Sequence, residues 1–148
     1  MAEYVYNPVQ LVMPNQPVIL DDSIPCNRGY VYHRNQSGNL ILRGVTQNCF
    51  ARYQVTFNGN IAVPADGTVG AIAIALAIDG EPIPTSRAIV TPSAVDEYFN
   101  VTSTAIITVP KGCCFSVSVE NVSEGATSAD TPTAINVQNA NLVVSRIA

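Results

Sequence analysis

His33 is the only histidine in this chain, so acid–base chemistry near neutral pH would have to run through it. It sits between Tyr32 and Arg34, with no nucleophile-elbow sequence nearby to complete a Ser-His-Asp or Cys-His constellation. It reads as a partly exposed strand residue. Asp96 and Glu97 are adjacent, and neighbours on a strand point to opposite faces, so they do not flank one bond as a glycosidase pair does. Cys26, Cys49, Cys113 and Cys114 contain no C-x-x-C pair, and with one histidine they make no zinc set. They read as buried free thiols, with a Cys26–Cys49 disulfide as the alternative. Asp21, Asp22 and Asp66 read as solvated turn carboxylates rather than calcium ligands. Asn35, Asn100 and Asn121 head N-x-S/T triplets that read as chance matches in a chain rich in Asn, Ser and Thr. No glycine-rich phosphate loop is present. The expectation is a protein without catalytic residues, metal or cofactor, and not an enzyme.

Composition bounds the partners. Apolar residues make up 47% of the 148 positions and charged residues only 12%, against roughly 25% charged in ordinary soluble proteins. So little charge implies that much of the surface does not face bulk water. The net charge is −4, and Lys and Arg form no cluster, which sets nucleic-acid binding aside because phosphates need a basic stripe. No apolar run approaches the roughly 20 residues of a membrane-spanning helix, so no membrane insertion is expected. The start, Met1-Ala-Glu-Tyr-Val-Tyr-Asn, lacks the basic and apolar regions of a signal peptide, which suggests synthesis in the cytoplasm.

Strands, not helices, must position whatever this chain presents. Residues 1–27 carry Pro8, Pro14, Pro17 and Pro25 among Val, Ile and Leu and read as an extended arm or edge strand. From residue 28 to 148 the chain reads as a single domain of short strands. Gly29–Arg34 and Leu40–Arg43 form a hairpin around Ser37-Gly38-Asn39. Phe50–Phe57 ends at the turn signal Asn58-Gly59, and Ile61–Val63 is a separate short strand. Residues 81–94 form a proline-containing connection. Tyr98–Val101, Ala105–Val109, Phe115–Val119, Ile135–Val137 and Leu142–Ile147 follow, with an exposed loop near 121–134. Eight to ten strands at a spacing of roughly ten residues predict an all-β antiparallel sandwich.

One strand stands apart. Ala71, Ala73, Ala75 and Ala77 alternate with Ile72, Ile74, Leu76 and Ile78, so both faces are apolar, one bulky and one small. Left bare, such a strand is an aggregation hazard. The expected cover for the alanine face is a second copy of the chain, which makes these four alanines the candidate oligomer interface.

Phe57-Asn-Gly-Asn-Ile61, Pro64 to Gly70, Asp79-Gly-Glu-Pro82 and Val101 through Val119 resemble the tumour-necrosis-factor/complement-type trimeric jelly roll. Ile89-Val-Thr-Pro92, Glu97-Tyr-Phe-Asn-Val101, Gly112-Cys-Cys-Phe115 and Val137 to Leu142 resemble small proteins encoded by phages and prophages of gut bacteria. The resemblance implies a jelly roll of 8–10 strands, a homotrimer, and a virion structural protein on a capsid or tail. Its partners would be other virion proteins or a host surface receptor or glycan, met through loops 81–94 and 121–134, with Arg87 and Tyr98 as available loop chemistry. The alternative is a bacterial surface or spore-coat-like binding module. Family members of the cytokine type usually place aromatic residues at the axis, and the alanine strand has none.

Overall fold

The computed structural model describes residues 2–24, 29–34, 36–123 and 134–148, with residues 22–24 as backbone alone. Twelve strands follow in chain order: β1 (Ala2–Tyr6), β2 (Gln10–Val12), β3 (Asp22–Ile24), β4 (Val31–His33), β5 (Leu40–Arg43), β6 (Phe50–Ala62), β7 (Ile72–Ile78), β8 (Glu81–Pro82), β9 (Ala88–Val90), β10 (Phe99–Pro110), β11 (Cys114–Asn121) and β12 (Ile135–Arg146). Among the described residues the only helical element is one 3₁₀ turn, Pro84–Ser86.

The strands form two six-stranded antiparallel sheets. The first runs β10-β6-β12-β1-β3, with β2 also on β12; the second runs β4-β5-β11-β7-β8, with β9 also on β7. The alternation in the sequence builds this sandwich directly. Ala51, Tyr53, Val55 and Phe57 of β6 are fully buried between the sheets, and so are Leu40 and Leu42 of β5 and Ile72, Ile74 and Leu76 of β7. At about 25 cal/mol per Å² of apolar area removed from water, these interdigitating rows supply the main drive to fold.

Several expected breaks are absent. Asn58-Gly59 makes no turn, because β6 pairs without interruption with β10, from Phe50↔Pro110 to Ile61↔Phe99. Gly59 serves packing instead: a Cβ there would lie 2.9 Å from Cζ of Phe57, whose ring covers the glycine. Tyr98–Val101 and Ala105–Val109 are likewise one strand, β10. The last two segments are one strand, β12, with an irregularity between Gln138 and Asn141 where Asn139 has φ 56°. Residues 81–94 hold β8, the 3₁₀ turn and β9.

The N-terminal segment is woven into the first sheet. β1 lies between β12 and β3, and β2 pairs with the far end of β12. Pro8, Pro14 and Pro17 stay between these strands, and Pro17 bridges to Glu120 of the second sheet.

Candidate binding surfaces

The alanine strand is central in the second sheet. β11 flanks it on one edge, and β9, the 3₁₀ turn and β8 share the other. Ser86 joins the turn to that edge, its Oγ accepting from Leu76 N at 2.9 Å. The registers Ala77↔Ser118, Ala75↔Glu120, Ala77↔Pro82 and Ala73↔Ile89 put these larger residues on the alanine face. Ala73, Ala75 and Ala77 are buried within a single chain, at 2%, 1% and 0% exposure, while Ala71 is exposed. An outside cover is therefore not required for three of the four. The small side chains recess the sheet surface, and taller neighbours close over them.

That recess is a cleft of about 360 Å³ with Ala75 in its lining, bounded by Pro82, Ile83 and Pro84 on one side and by Asn15, Val122 and Ser123 on the other. A second hollow of about 170 Å³ lies against Ala71, Ala73 and Ile89. Arg87 lines both, and its Nη2 donates to Val122 O at 3.1 Å. A guanidinium that starts beside one edge of β7 and reaches Val122, in line with β11 on the other, crosses the alanine strand as a bar. Nearby, burial pushes the Glu120 carboxyl above its usual 4.5; the charge of Glu81 adds to this, and a hydrogen bond from Ser118 opposes it.

The outer face of the first sheet has a different chemistry. Asn100, Thr102, Thr104, Ile106 and Thr108 of β10 stand opposite Asn60, Asn58, Thr56, Gln54 and Arg52 of β6. Gln138, Asn141, Val143 and Ser145 of β12 continue the rows. Asn100 Nδ2 donates to Asn58 Oδ1 at 3.0 Å and Asn60 Oδ1 at 3.2 Å, and Thr102 Oγ1 donates to Asn58 Oδ1 at 3.0 Å. Asn60 reaches Asn139, Asn139 reaches Asn7, and Asn141 reaches Glu3. This amide and hydroxyl lattice was missed in the sequence because Asn-Gly-Asn looks like a turn. Ile106 projects from it 64% exposed. Among the described residues no strand pairs with the outer edge of β10, and its twelve residues carry no charge.

The residues singled out for chemistry have structural work. His33 Nε2 donates to Ser37 O at 2.9 Å, closing the β4–β5 hairpin, and its ring lies 4.7 Å from that of Tyr4. Asp96 and Glu97 lie in a turn rather than a strand. Oε2 of Glu97 accepts from Ser93 N, Ser93 Oγ and Ala94 N, which fastens the loop before β10. Tyr98 is half-buried beside it. Asp66 is exposed in the Pro64–Gly67 turn, and the described residues hold no metal-binding group of three or more His, Cys, Asp or Glu. Asn121 is fully buried, its Nδ2 donating to Val12 O at 3.0 Å, so its triplet is inaccessible to a glycosyl carrier.

The thiols overturn the expectation of buried cysteines. Cys49, Cys113 and Cys114 are free and exposed, because they fall at one end of the sandwich where strands leave one sheet for the other. Cys26, most of the 121–134 loop, and Asn35 lie outside the described residues.

This arrangement of strands matches solved domains. The globular domain of zebrafish complement 1qA superposes with a TM-score of 0.54 at 14% identity, covering 99% of this chain and 97% of its own. The Eiger TNF of S. frugiperda superposes with a TM-score of 0.60 at 11% identity, covering 100% and 92%. The fold is a complement C1q/tumour-necrosis-factor-type jelly roll. The C-terminal domain of EclA, a sugar-binding protein, aligns at 16% identity over 95% of this chain and 79% of its own; its TM-score of 0.43 is too low to carry an argument. No protein-family model matches the sequence, and no curated protein matches it.

Proposed function

We propose that this protein is a non-enzymatic, self-associating binding module: a homotrimeric jelly roll on a phage capsid or tail that presents its loops to a receptor or glycan. The observation that carries self-association is the first sheet's open flank. A twelve-residue edge without charge, beside a lattice whose described strand positions carry charge only at Glu3, Asp22 and Arg52, lacks the devices that keep lone edges apart. Another copy of the chain is its natural cover. The subunit contact thus moves from the alanines to this face, and of the four only Ala71 stays open to a neighbour. The trimer and the phage context rest on the resemblance of the sequence segments, and the low overall charge agrees with a protein packed among others.

The cleft over Ala75 favours a binding role common to the virion reading and to the bacterial surface or spore-coat alternative. Its apolar walls with a few polar groups suit a small ligand or one sugar residue. Light scattering on a sizing column tests assembly: a trimer is expected, and a wild-type monomer at micromolar concentration overturns the proposal. Ile106→Arg should yield a folded monomer, since this side chain is exposed in the single chain. Capsid, portal or tail genes beside the coding gene support the virion reading, whereas a sporulation or cell-wall operon favours the alternative.

A further inference from the structure

Cysteine is among the residue types most often buried, yet three thiols are exposed here at one end of the sandwich. Two of them lie in connections that carry the chain from one sheet to the other at that end. Residues 44–49 carry the chain from β5 in the second sheet to β6 in the first, and residues 111–113 carry it back from β10 to β11. The two crossings lie side by side. Lys111 N donates to Cys49 O at 2.9 Å, Gly112 N to Gly44 O at 3.0 Å, and Gly44 N to Cys113 O at 2.8 Å.

The sheets converge at this corner. A Cβ on Gly44, at the end of the second sheet, would lie 2.0 Å from the carbonyl oxygen of Pro110, at the end of the first. Cys49 precedes Phe50, which pairs with Pro110, and Cys113 is hydrogen-bonded to Gly44. Both cysteines also adjoin the rows that fill the core. Ala51, Tyr53 and Val55 of β6 point into the core, and Phe115, Val117 and Val119 of β11 face them. Cys49 and Cys113 each stand one residue before these strands begin, at the exposed rim of the two rows. Cys114 belongs to the outer row, opposite Arg43.

We propose that Cys49 and Cys113 are a redox-responsive pair that staples the two sheets together once the protein meets an oxidising medium. The oxidant is a small-molecule disulfide. The thiolate of one cysteine attacks it, releasing one small thiol and leaving a mixed disulfide on the protein. The other cysteine then displaces the second small thiol. Two protein thiols become one disulfide, and the oxidant becomes two thiols. In a reducing cytoplasm the pair stays open; outside it, the corner closes.

The test uses the reduced full chain with Cys114→Ser, treated with oxidised glutathione, alkylated and digested with trypsin without reductant. In this variant Cys113 is the only cysteine of the tryptic peptide 112–146, and Cys49 is the only one of peptide 44–52. The expected result is one cross-linked species joining these peptides, with two alkylatable thiols lost and the chain still monomeric on a non-reducing denaturing gel. Adding Cys49→Ser should leave Cys113 alkylatable or glutathionylated. Cross-links from Cys49 to Cys26, cross-links between chains, or stable glutathione adducts on both Cys49 and Cys113 would overturn the proposal.

Discussion

Gly44→Ala probes the corner where the sheets meet. The added methyl would lie 2.0 Å from Pro110 O, 3.0 Å from Pro110 C and 3.1 Å from Cys113 O, all backbone atoms that no side-chain rotation can move away. A carbon–oxygen approach of about 3.3 Å is the ordinary limit, so the two crossings must part by roughly 1 Å. Parting them weakens Gly44 N to Cys113 O and Gly112 N to Gly44 O. Each of these is worth about 1 kcal/mol net, and overpacking adds about 1–3 kcal/mol, so the expected loss is roughly 3–5 kcal/mol. Gly80→Ala is the control. Gly80 has φ +85° and nothing within 4 Å of an added Cβ, so only the left-handed backbone term of about 1–2 kcal/mol applies there. Urea unfolding followed by circular dichroism, at one fixed protein concentration because association shifts the midpoint, gives both values. If Gly44→Ala is no more destabilising than Gly80→Ala, the convergence of the sheets is wrong, and the geometry behind the Cys49–Cys113 pair fails with it.

Tyr53→Phe removes a hydroxyl that donates to Arg43 O at 2.5 Å and lies 3.2 Å from Tyr30 O, and should cost about 1–2 kcal/mol in the same assay. Glu120→Gln should stabilise the protein near pH 7 and much less near pH 4. Burial raises the folded carboxyl above 4.5, so its contribution is fully present below that value and is lost as pH rises through the folded pKa; urea midpoints across that range test the sign. Ala75→Leu has a cleft of about 360 Å³ to enter and should change stability by less than about 1 kcal/mol, whereas Ala77→Leu, at a site fully buried between Ser118 and Pro82, should cost about 1–3 kcal/mol.

The sandwich was legible because its signal is local. Alternation of buried and exposed positions in Phe50–Phe57 is dictated residue by residue by the pleat, and the same apolar/polar alternation in Phe115–Val119 puts Val117 and Val119 in the core, although Ser118 on the other face is buried too. Strand continuity was not legible. Asn58-Gly59 carries a strong turn signal, and the pairing of both residues with β10 and the side-chain bonds from Asn100 and Thr102 to Asn58 keep it extended; those partners come from over forty residues away in sequence. The thiols were misread for a related reason. Composition says that cysteines are usually buried, but exposure follows from where a strand ends, and Cys49 and Cys113 fall just outside β6 and β11. The cleft over Ala75 had one sequence signal, the uniform smallness of the alanine row. Its walls, Pro82 to Pro84 and Val122 to Ser123, reach it only through the folded topology.

In the proposed function the two outer faces divide the work of the molecule. A surface made for self-association must be broad, regular and low in charge, because each unpaired charge it buries is costly; the lattice on β10, β6 and β12 meets all three conditions. A surface made to grip something smaller must be concave, and concavity on a flat sheet needs short side chains flanked by tall ones. Ala73, Ala75 and Ala77 beneath Ile89, Arg87 and Pro82 supply that. The alanine row therefore needs no partner subunit to explain its dryness. Bulky residues there would fill the recess while leaving the strand pairing intact, which is why the pairing alone does not account for four alanines in alternate positions. A cleft on one sheet and an uncharged edge on the other also leave the two functions separable: Ile106→Arg should abolish assembly and spare the cleft, and Ala75→Leu should do the reverse.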